Sequence, residues 1–119
     1  MQVATNPLQH ALVERIRALL VGEPSLREVA MFGGRSFMVN DKMVVSALGN
    51  GDLLVRVPAA LHDELLEMDG AYQAEMGAGR TMGAGWITVT AESITSAEQL
   101  AVWTGVALEH NQHARKAKR

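Results

Sequence analysis

The chain has 119 residues, of which 48% are hydrophobic and 20% charged, and this suits a single globular domain. It contains no cysteine, so disulfides, thiolate metal sites and a cysteine nucleophile are excluded. Residues 1–114 carry 7 basic and 13 acidic side chains, a net charge of −6, so we expect no nucleic-acid binding through the folded body.

The first helix is predicted by apolar residues that recur every three or four positions over residues 8–20. Asn6 and Pro7 are typical of the residue before a helix and of its first residue. Gln9 is placed to complete a capping box with Asn6, and Gly22 ends the pattern.

Four strands follow, because the period of the apolar residues changes to two. The predicted strands cover residues 26–32, 36–39, 43–48 and 53–57. A glycine bend at residues 33–35 separates the first two strands. Tight hairpin turns are expected at Asn40-Asp41 and at residues 49–52, which gives three successive antiparallel pairings.

The second half of the chain is more irregular. Pro58 can open a second helix, with leucines on one side and charged residues on the other. Residues 69–85 contain five glycines and no sustained period, which predicts a long loop with a short strand near residues 72–76. Residues 86–90 are β-branched and aromatic and predict a fifth strand.

A capping box formed by Thr95 and Glu98 is expected to open the last helix, which ends near His113. One face of this helix is predicted to carry an apolar core stripe of Leu100, Trp103, Ala107 and Leu108. The order α-β-β-β-β-α-β-α then predicts a single α+β domain over residues 1–113, with helices packed on a mostly antiparallel sheet. We expect residues 114–119, which are rich in lysine and arginine, to form a basic tail without fixed structure.

No stretch approaches the roughly 18 consecutive apolar residues of a membrane span. The first 20 residues also lack the basic start and the apolar core of a signal peptide. We therefore expect a cytoplasmic protein that does not insert into a membrane.

The third predicted strand has apolar side chains on both of its faces. Alternation places Met43, Val45 and Ala47 on one face, and Val44 and Leu48 on the other. A sheet with one wet face should instead alternate between apolar and polar residues. Either the glycine loop or a second copy of the chain covers the second face, and we expect a homodimer.

No catalytic constellation is evident in the sequence. Ser36 follows a strand-to-strand bend and lacks the surroundings of a nucleophile elbow. His110 and His113 share a helix face, but with no cysteine and no clear third ligand we expect neither a metal nor a cofactor. His10 and His62 are interpreted as solvated residues on polar helix faces. We therefore expect a protein that is not an enzyme.

Basic residues at glycine bends or within strands are the remaining functional candidates, because the body of the chain is short of positive charge. An arginine there can pair with a carboxylate such as Glu28 or Asp52, or can bind an acidic partner or ligand. The candidate contacts for an anion or a partner are Arg35, Lys42, Arg56 and Arg80.

The strand sequences carry a resemblance to a known family. Its first block is Met31-Phe32-Gly33-Gly34, Phe37-Met38-Val39, Lys42-Met43 and Leu54-Val55-Arg56-Val57. Its looser second block is Met76, Gly79-Arg80, Met82 and Gly85-Trp86-Ile87-Thr88-Val89. Together these resemble the N-terminal domain of the TfoX/Sxy family over about residues 8–112.

The resemblance implies an α+β domain similar to folds that dimerise and bind partners, such as secretion-chaperone-like domains. Full-length relatives regulate competence genes and carry a further helical domain, so we expect a stand-alone N-terminal domain that acts through protein–protein contacts. The alternative is a small anion-binding or enzymatic domain that uses Arg35 and Arg80 near the glycine loop.

Overall fold

The computed structural model describes residues 7–31, 34–75 and 79–117, which form an α+β domain. In chain order the elements are α1 (Pro7–Leu20), β1 (Leu26–Met31), β2 (Gly34–Val39), β3 (Lys42–Leu48), β4 (Leu53–Arg56), α2 (His62–Leu65), β5 (Ala71–Gln73), β6 (Trp86–Val89) and α3 (Ala97–Ala117). Short 3-10 turns at Ala59–Leu61 and Ala91–Ile94 precede α2 and α3. The predicted fold class and element order are confirmed, and β5 is the short strand expected within the long loop.

The strands form one antiparallel sheet in the order β1-β2-β3-β4-β6-β5. Asn40 and Asp41 connect β2 to β3 with φ angles of 55° and 66°, as a tight hairpin of two positive-φ residues requires. Gly51, with φ 92°, lies in the turn between β3 and β4. Both predicted hairpins are therefore confirmed.

The first bend is shorter than predicted, because Gly34 and Arg35 already belong to β2. Phe32 and Gly33 lie outside the described residues. A Cβ atom at Gly34 would overlap the carbonyl oxygen of Ala47 on β3. Glycine is needed at this position because the two backbones approach too closely for a side chain.

The main core lies between the sheet and the helices α1 and α3. Its fully buried side chains include Ile16 and Leu20 from α1, Leu100 from α3, and Phe37, Val45, Val55 and Ile87 from the strands. Burying such a side chain contributes roughly 1.5–3 kcal/mol each. This cluster fixes the two long helices on one face of the sheet.

A smaller apolar cluster lies on the other face and corrects the predicted orientation of β3. Met43 and Leu54 belong to this second cluster, whereas Val44 lies in the helix-side core with Val45. The register between β2 and β3 shifts beside Phe37, so Val44 is the extra residue of a β-bulge. A bulge interrupts the period of two, and for this reason simple alternation was wrong at residues 43 and 44.

The segment between β5 and β6 covers part of this second face. Ala74 and Met82 pack in the second cluster. The Met82 amide donates to the carbonyl oxygen of Ala74 at 2.8 Å, and the Ala74 amide donates to that of Trp86 at 3.3 Å. The apolar residues on the second face are therefore explained by packing within one chain. The homodimer stays a prediction, but this face is no longer the argument for it.

The capping box of α3 starts one residue later than predicted. The Gln99 amide donates to Ser96 Oγ, and the Ser96 amide donates to Gln99 Oε1, both at 3.0 Å. Ser96 and Gln99 have the same residue types and spacing as a capping box, so the assignment to Thr95 and Glu98 was wrong. The helix runs to Ala117, past the expected end, and the domain boundary at residue 113 stays a prediction. None of the described helices is long and apolar enough to cross a membrane.

Candidate functional site

A cleft of about 380 Å³ lies between α1 and the β1–β2 hairpin and contains Arg35. Its lining residues are Gln9, His10, Val13, Arg17, Ala30, Gly34 and Arg35. Gln9 holds one wall in place, because its Nε2 donates to the carbonyl oxygen of Ala47 at 3.0 Å and ties α1 to β3. Its predicted capping partner, Asn6, lies outside the described residues.

The charges of this cleft are largely paired within the chain. Arg17 donates to both carboxylate oxygens of Glu28, at 2.6 and 2.8 Å, and to Glu14 at 2.7 Å. The hydrogen bonds from Arg17 lower the pKa of Glu28, against the opposing effect of its partial burial. Arg35 Nε lies 3.7 Å from Glu28 Oε1, and the Arg35 side chain is 47% exposed. Arg17 is therefore engaged, whereas Arg35 presents much of its guanidinium to solvent.

Lys42 and Arg56 lie at a separate hollow of about 50 Å³ beside α3. Arg56 Cζ is 4.7 Å from the centre of the Trp86 ring, a cation–π contact. Asn111 also lines the hollow, and its Nδ2 donates to the carbonyl oxygen of Val39 at 2.9 Å. The Asn111 bond ties α3 to the sheet. The hollow is far smaller than the roughly 300–1,000 Å³ of a usual ligand pocket.

Arg80 is exposed on the segment between β5 and β6. It does not line the cleft of Arg35, and neither does Lys42 or Arg56. The four predicted cations therefore occupy three places on the protein, and only Lys42 and Arg56 lie together.

His62, predicted to be solvated, is buried and only 5% exposed. Its Nδ1 accepts the backbone N–H of Gly85 at 2.9 Å, and its Nε2 lies 2.8 Å from Gln73 Oε1. Because Nδ1 accepts, the ring carries its proton on Nε2 and donates it to Gln73. Gln73 Nε2 donates in turn to the carbonyl oxygens of Gly83 at 3.0 Å and Trp86 at 3.3 Å. His62 and Gln73 thus fix the end of the segment between β5 and β6.

The histidines do not assemble a metal site in the part of the chain that the structure describes, where no three His, Asp or Glu side chains are placed to hold one ion. His110 is half-buried on α3, and the side chain of His113 is not among those that the structure describes. The expected absence of a metal stays a prediction.

Two hollows lie along α3 on the side that faces residues 58–69. One hollow of about 290 Å³ is lined by Pro58, Leu61, Val106, Glu109 and His110. A second, of about 370 Å³, is lined by Glu67, Met68, Asp69, Ser93, Gln99, Val102 and Trp103. The α3 members recur every three or four residues, so both hollows lie along one stripe of the helix. We call the two hollows together the α3 groove.

Comparison with known families identifies this architecture. The family described as the TfoX N-terminal domain matches residues 19–111, most of the chain. The chain belongs to the TfoX N-terminal domain family. The match covers all six strands and most of α3, and it confirms the resemblance found in the sequence. A search of curated proteins gave no match.

In this TfoX N-terminal domain the α3 groove leaves large apolar side chains accessible. Leu61 is 40% exposed, Met68 37% and Val102 50%. The sequence pattern did not single them out, because the predicted core stripe of α3 contains Leu100 and Trp103. Val102 lies beside that stripe. An apolar residue just outside a core stripe is the sequence feature that could have indicated the α3 groove.

Proposed function

We propose that this TfoX N-terminal domain is a non-enzymatic cytoplasmic module that acts in regulation through contacts with other proteins. The α3 groove is the observation that carries the proposal. It combines half-exposed aliphatic side chains with two hollows, and exposed apolar patches rimmed by polar residues are characteristic of protein interaction sites. Burying the remaining exposed part of Leu61, Met68 and Val102 would contribute about 1 kcal/mol each.

Capture of partners from an extract of the source cells, with and without cross-linking, tests this proposal. The wild-type domain should recover at least one protein reproducibly. Val102→Glu places a charge in the groove and should abolish recovery. Val21→Glu is the matched control, because Val21 is 81% exposed just after α1 and lines neither hollow.

Recovery of no protein by the wild-type domain, or equal recovery by the two variants, would contradict a function of the α3 groove in protein binding. Both variants replace exposed valines, so the midpoint of their denaturant unfolding should equal that of the wild type. A shift in that midpoint would identify a folding defect before any loss of binding is interpreted.

A second candidate function is the binding of a small anion in the Arg35 cleft. Its support is the half-exposed guanidinium of Arg35, whose ion pair with Glu28 is long at 3.7 Å, beside a cleft of about 380 Å³. A thermal-shift screen with phosphates, nucleotides and carboxylates tests it. Stabilisation that Arg35→Ala abolishes and Arg80→Ala preserves would favour this function over the protein-binding one.

A further inference from the structure

The two walls of the α3 groove carry a single sign of charge. Residues 57–75 and 91–112 contain eight of the 13 acidic residues of the chain and no lysine or arginine. Glu67 and Asp69 line the hollow near the start of α3, and Glu109 lines the other. An apolar floor with an acidic rim favours a partner surface that combines apolar residues with a basic rim.

The matching charge lies, in the sequence, at the far end of α3. Arg115 and Lys116 belong to its last turn, and Lys118 and Arg119 follow in the sequence. By the helical rise per residue, Lys116 lies about 16 Å from Gly105 along the axis, and the start of α3 lies about 12 Å from Gly105 in the opposite direction. Two α3 helices that cross antiparallel near Gly105 would therefore place the basic end of each beside the acidic hollow of the other.

Gly105 itself suits a close helix crossing. It is an exposed residue in the interior of α3, and a Cβ atom added there would meet nothing within 4 Å. Packing of the described chain therefore does not require glycine at this position, although glycine is unfavourable in a helix interior. The missing side chain lets a second helix approach Val102 and Val106 on the same stripe.

We propose that the α3 groove is the interface of a homodimer, in which the α3 helices of two copies pack antiparallel around Gly105. This inference rests on the proposed function, because it names a second copy of the chain as the partner of the same surface. A two-fold interface uses one patch twice, so the contact between a basic helix end and an acidic hollow forms at both ends of the dimer.

The mass of the purified full chain in solution, measured by sedimentation equilibrium over a range of concentrations, is the first test. The mass should rise to that of a dimer at low salt and fall at high salt, where exposed charges are screened. Val102→Glu should weaken self-association by about tenfold or more, and Val21→Glu should leave it unchanged.

A charge exchange between two variants tests the proposed orientation. One variant carries Arg115→Glu and Lys116→Glu, and the other carries Glu67→Lys and Asp69→Lys. Each alone should self-associate about tenfold more weakly than the wild type. An equimolar mixture should recover the dimer, because each altered end then faces an altered hollow and each unaltered end faces an unaltered one.

A chain that stays monomeric at every concentration, or a dimer that Val102→Glu does not weaken, would overturn the homodimer. The homodimer would also be overturned if the two charge-exchange variants failed to associate when mixed, or if the α3 groove of a monomeric chain bound a basic segment of another protein. If the monomeric chain still captures a partner through Val102, the proposed function stands and only the identity of the partner is wrong. If capture and self-association are both absent, both proposals fail.

Discussion

Replacing His62 by alanine should lower the free energy of unfolding by about 3 kcal/mol. The imidazole accepts the Gly85 N–H at 2.9 Å and bonds Gln73 Oε1 at 2.8 Å, and both His62 and Gly85 are buried. Alanine leaves the Gly85 N–H without an acceptor, which costs about 1–3 kcal/mol, and removes the bond to Gln73, worth about 1 kcal/mol.

Urea unfolding followed by tryptophan fluorescence measures this loss, and Trp86 reports on the affected segment because it directly follows Gly85. His10→Ala is the matched control, since His10 is exposed on α1 and its loss should change stability by about 0.5 kcal/mol or less. Gln73→Ala and the double variant complete a cycle, in which the two residues should show a coupling energy of about 1 kcal/mol.

Local opening should accompany the loss of stability. The Gly85 amide should exchange with solvent faster in His62→Ala than in the wild type. Exchange of the β3 amides should change only as much as the free energy of global unfolding requires. The reasoning is refuted if His62→Ala costs no more than His10→Ala, or if the Gly85 amide keeps its protection.

Two further predictions concern the ionisation of Tyr72 and the replacement of glycines by alanine. Tyr72 is the chain's one tyrosine and is 44% exposed, and its partial burial, together with its hydrogen bond to Asp52 at 2.9 Å, raises its pKa to about 12. The folded state therefore holds the phenol proton more tightly than the unfolded chain, so this stabilisation is complete below about pH 10 and is lost as the pH rises toward 12. The phenolate absorbance should accordingly appear near pH 12, and earlier in Asp52→Asn; a midpoint near the ordinary value of 10 would contradict this. Gly34→Ala should cost about 2–4 kcal/mol in urea unfolding, because its Cβ overlaps the Ala47 carbonyl oxygen, whereas Gly105→Ala should add about 1 kcal/mol at a concentration that keeps the chain monomeric. Equal effects at the two glycines would show that the close approach at Gly34 is wrong.

Local chemistry was sufficient to predict most of the fold. Asn40 and Asp41 tolerate positive φ, so a hairpin between two alternating apolar runs was the expected outcome, and their φ angles of 55° and 66° confirm it. The capping box of α3 and the orientation of β3 were wrong by one residue, and β2 begins two residues before its predicted start. A bulge at Val44 depends on how β2 pairs with β3, and this pairing has no local signature. Ser96 and Thr95 are both good N-caps, so residue type alone could not choose between them.

The binding candidates were harder to predict, because they depend on which distant residues meet. His62 reaches Gly85 across 23 positions, and Asn111 reaches Val39 across 72. A polar residue on a short helix gives no local indication that a loop amide will cover it. Arg35 was predicted in the glycine bend and lies in β2, and of the two carboxylates suggested for pairing it is near Glu28. The engagement of Glu28 by Arg17 from α1 depends on the packing of that helix, which the sequence does not show.

The location of the apolar surface changes the basis for expecting a dimer. The sequence indicated a second apolar face on the sheet, and Ala74 and Met82 of the same chain lie on that face. Those residues remove the need for a partner at the sheet. Val102 on α3 is not covered in this way by the described residues, since it is 50% exposed and lines the hollow near the start of the helix. If two copies associate, the structure therefore favours contact through α3, and substitutions in the second cluster should alter stability without altering self-association.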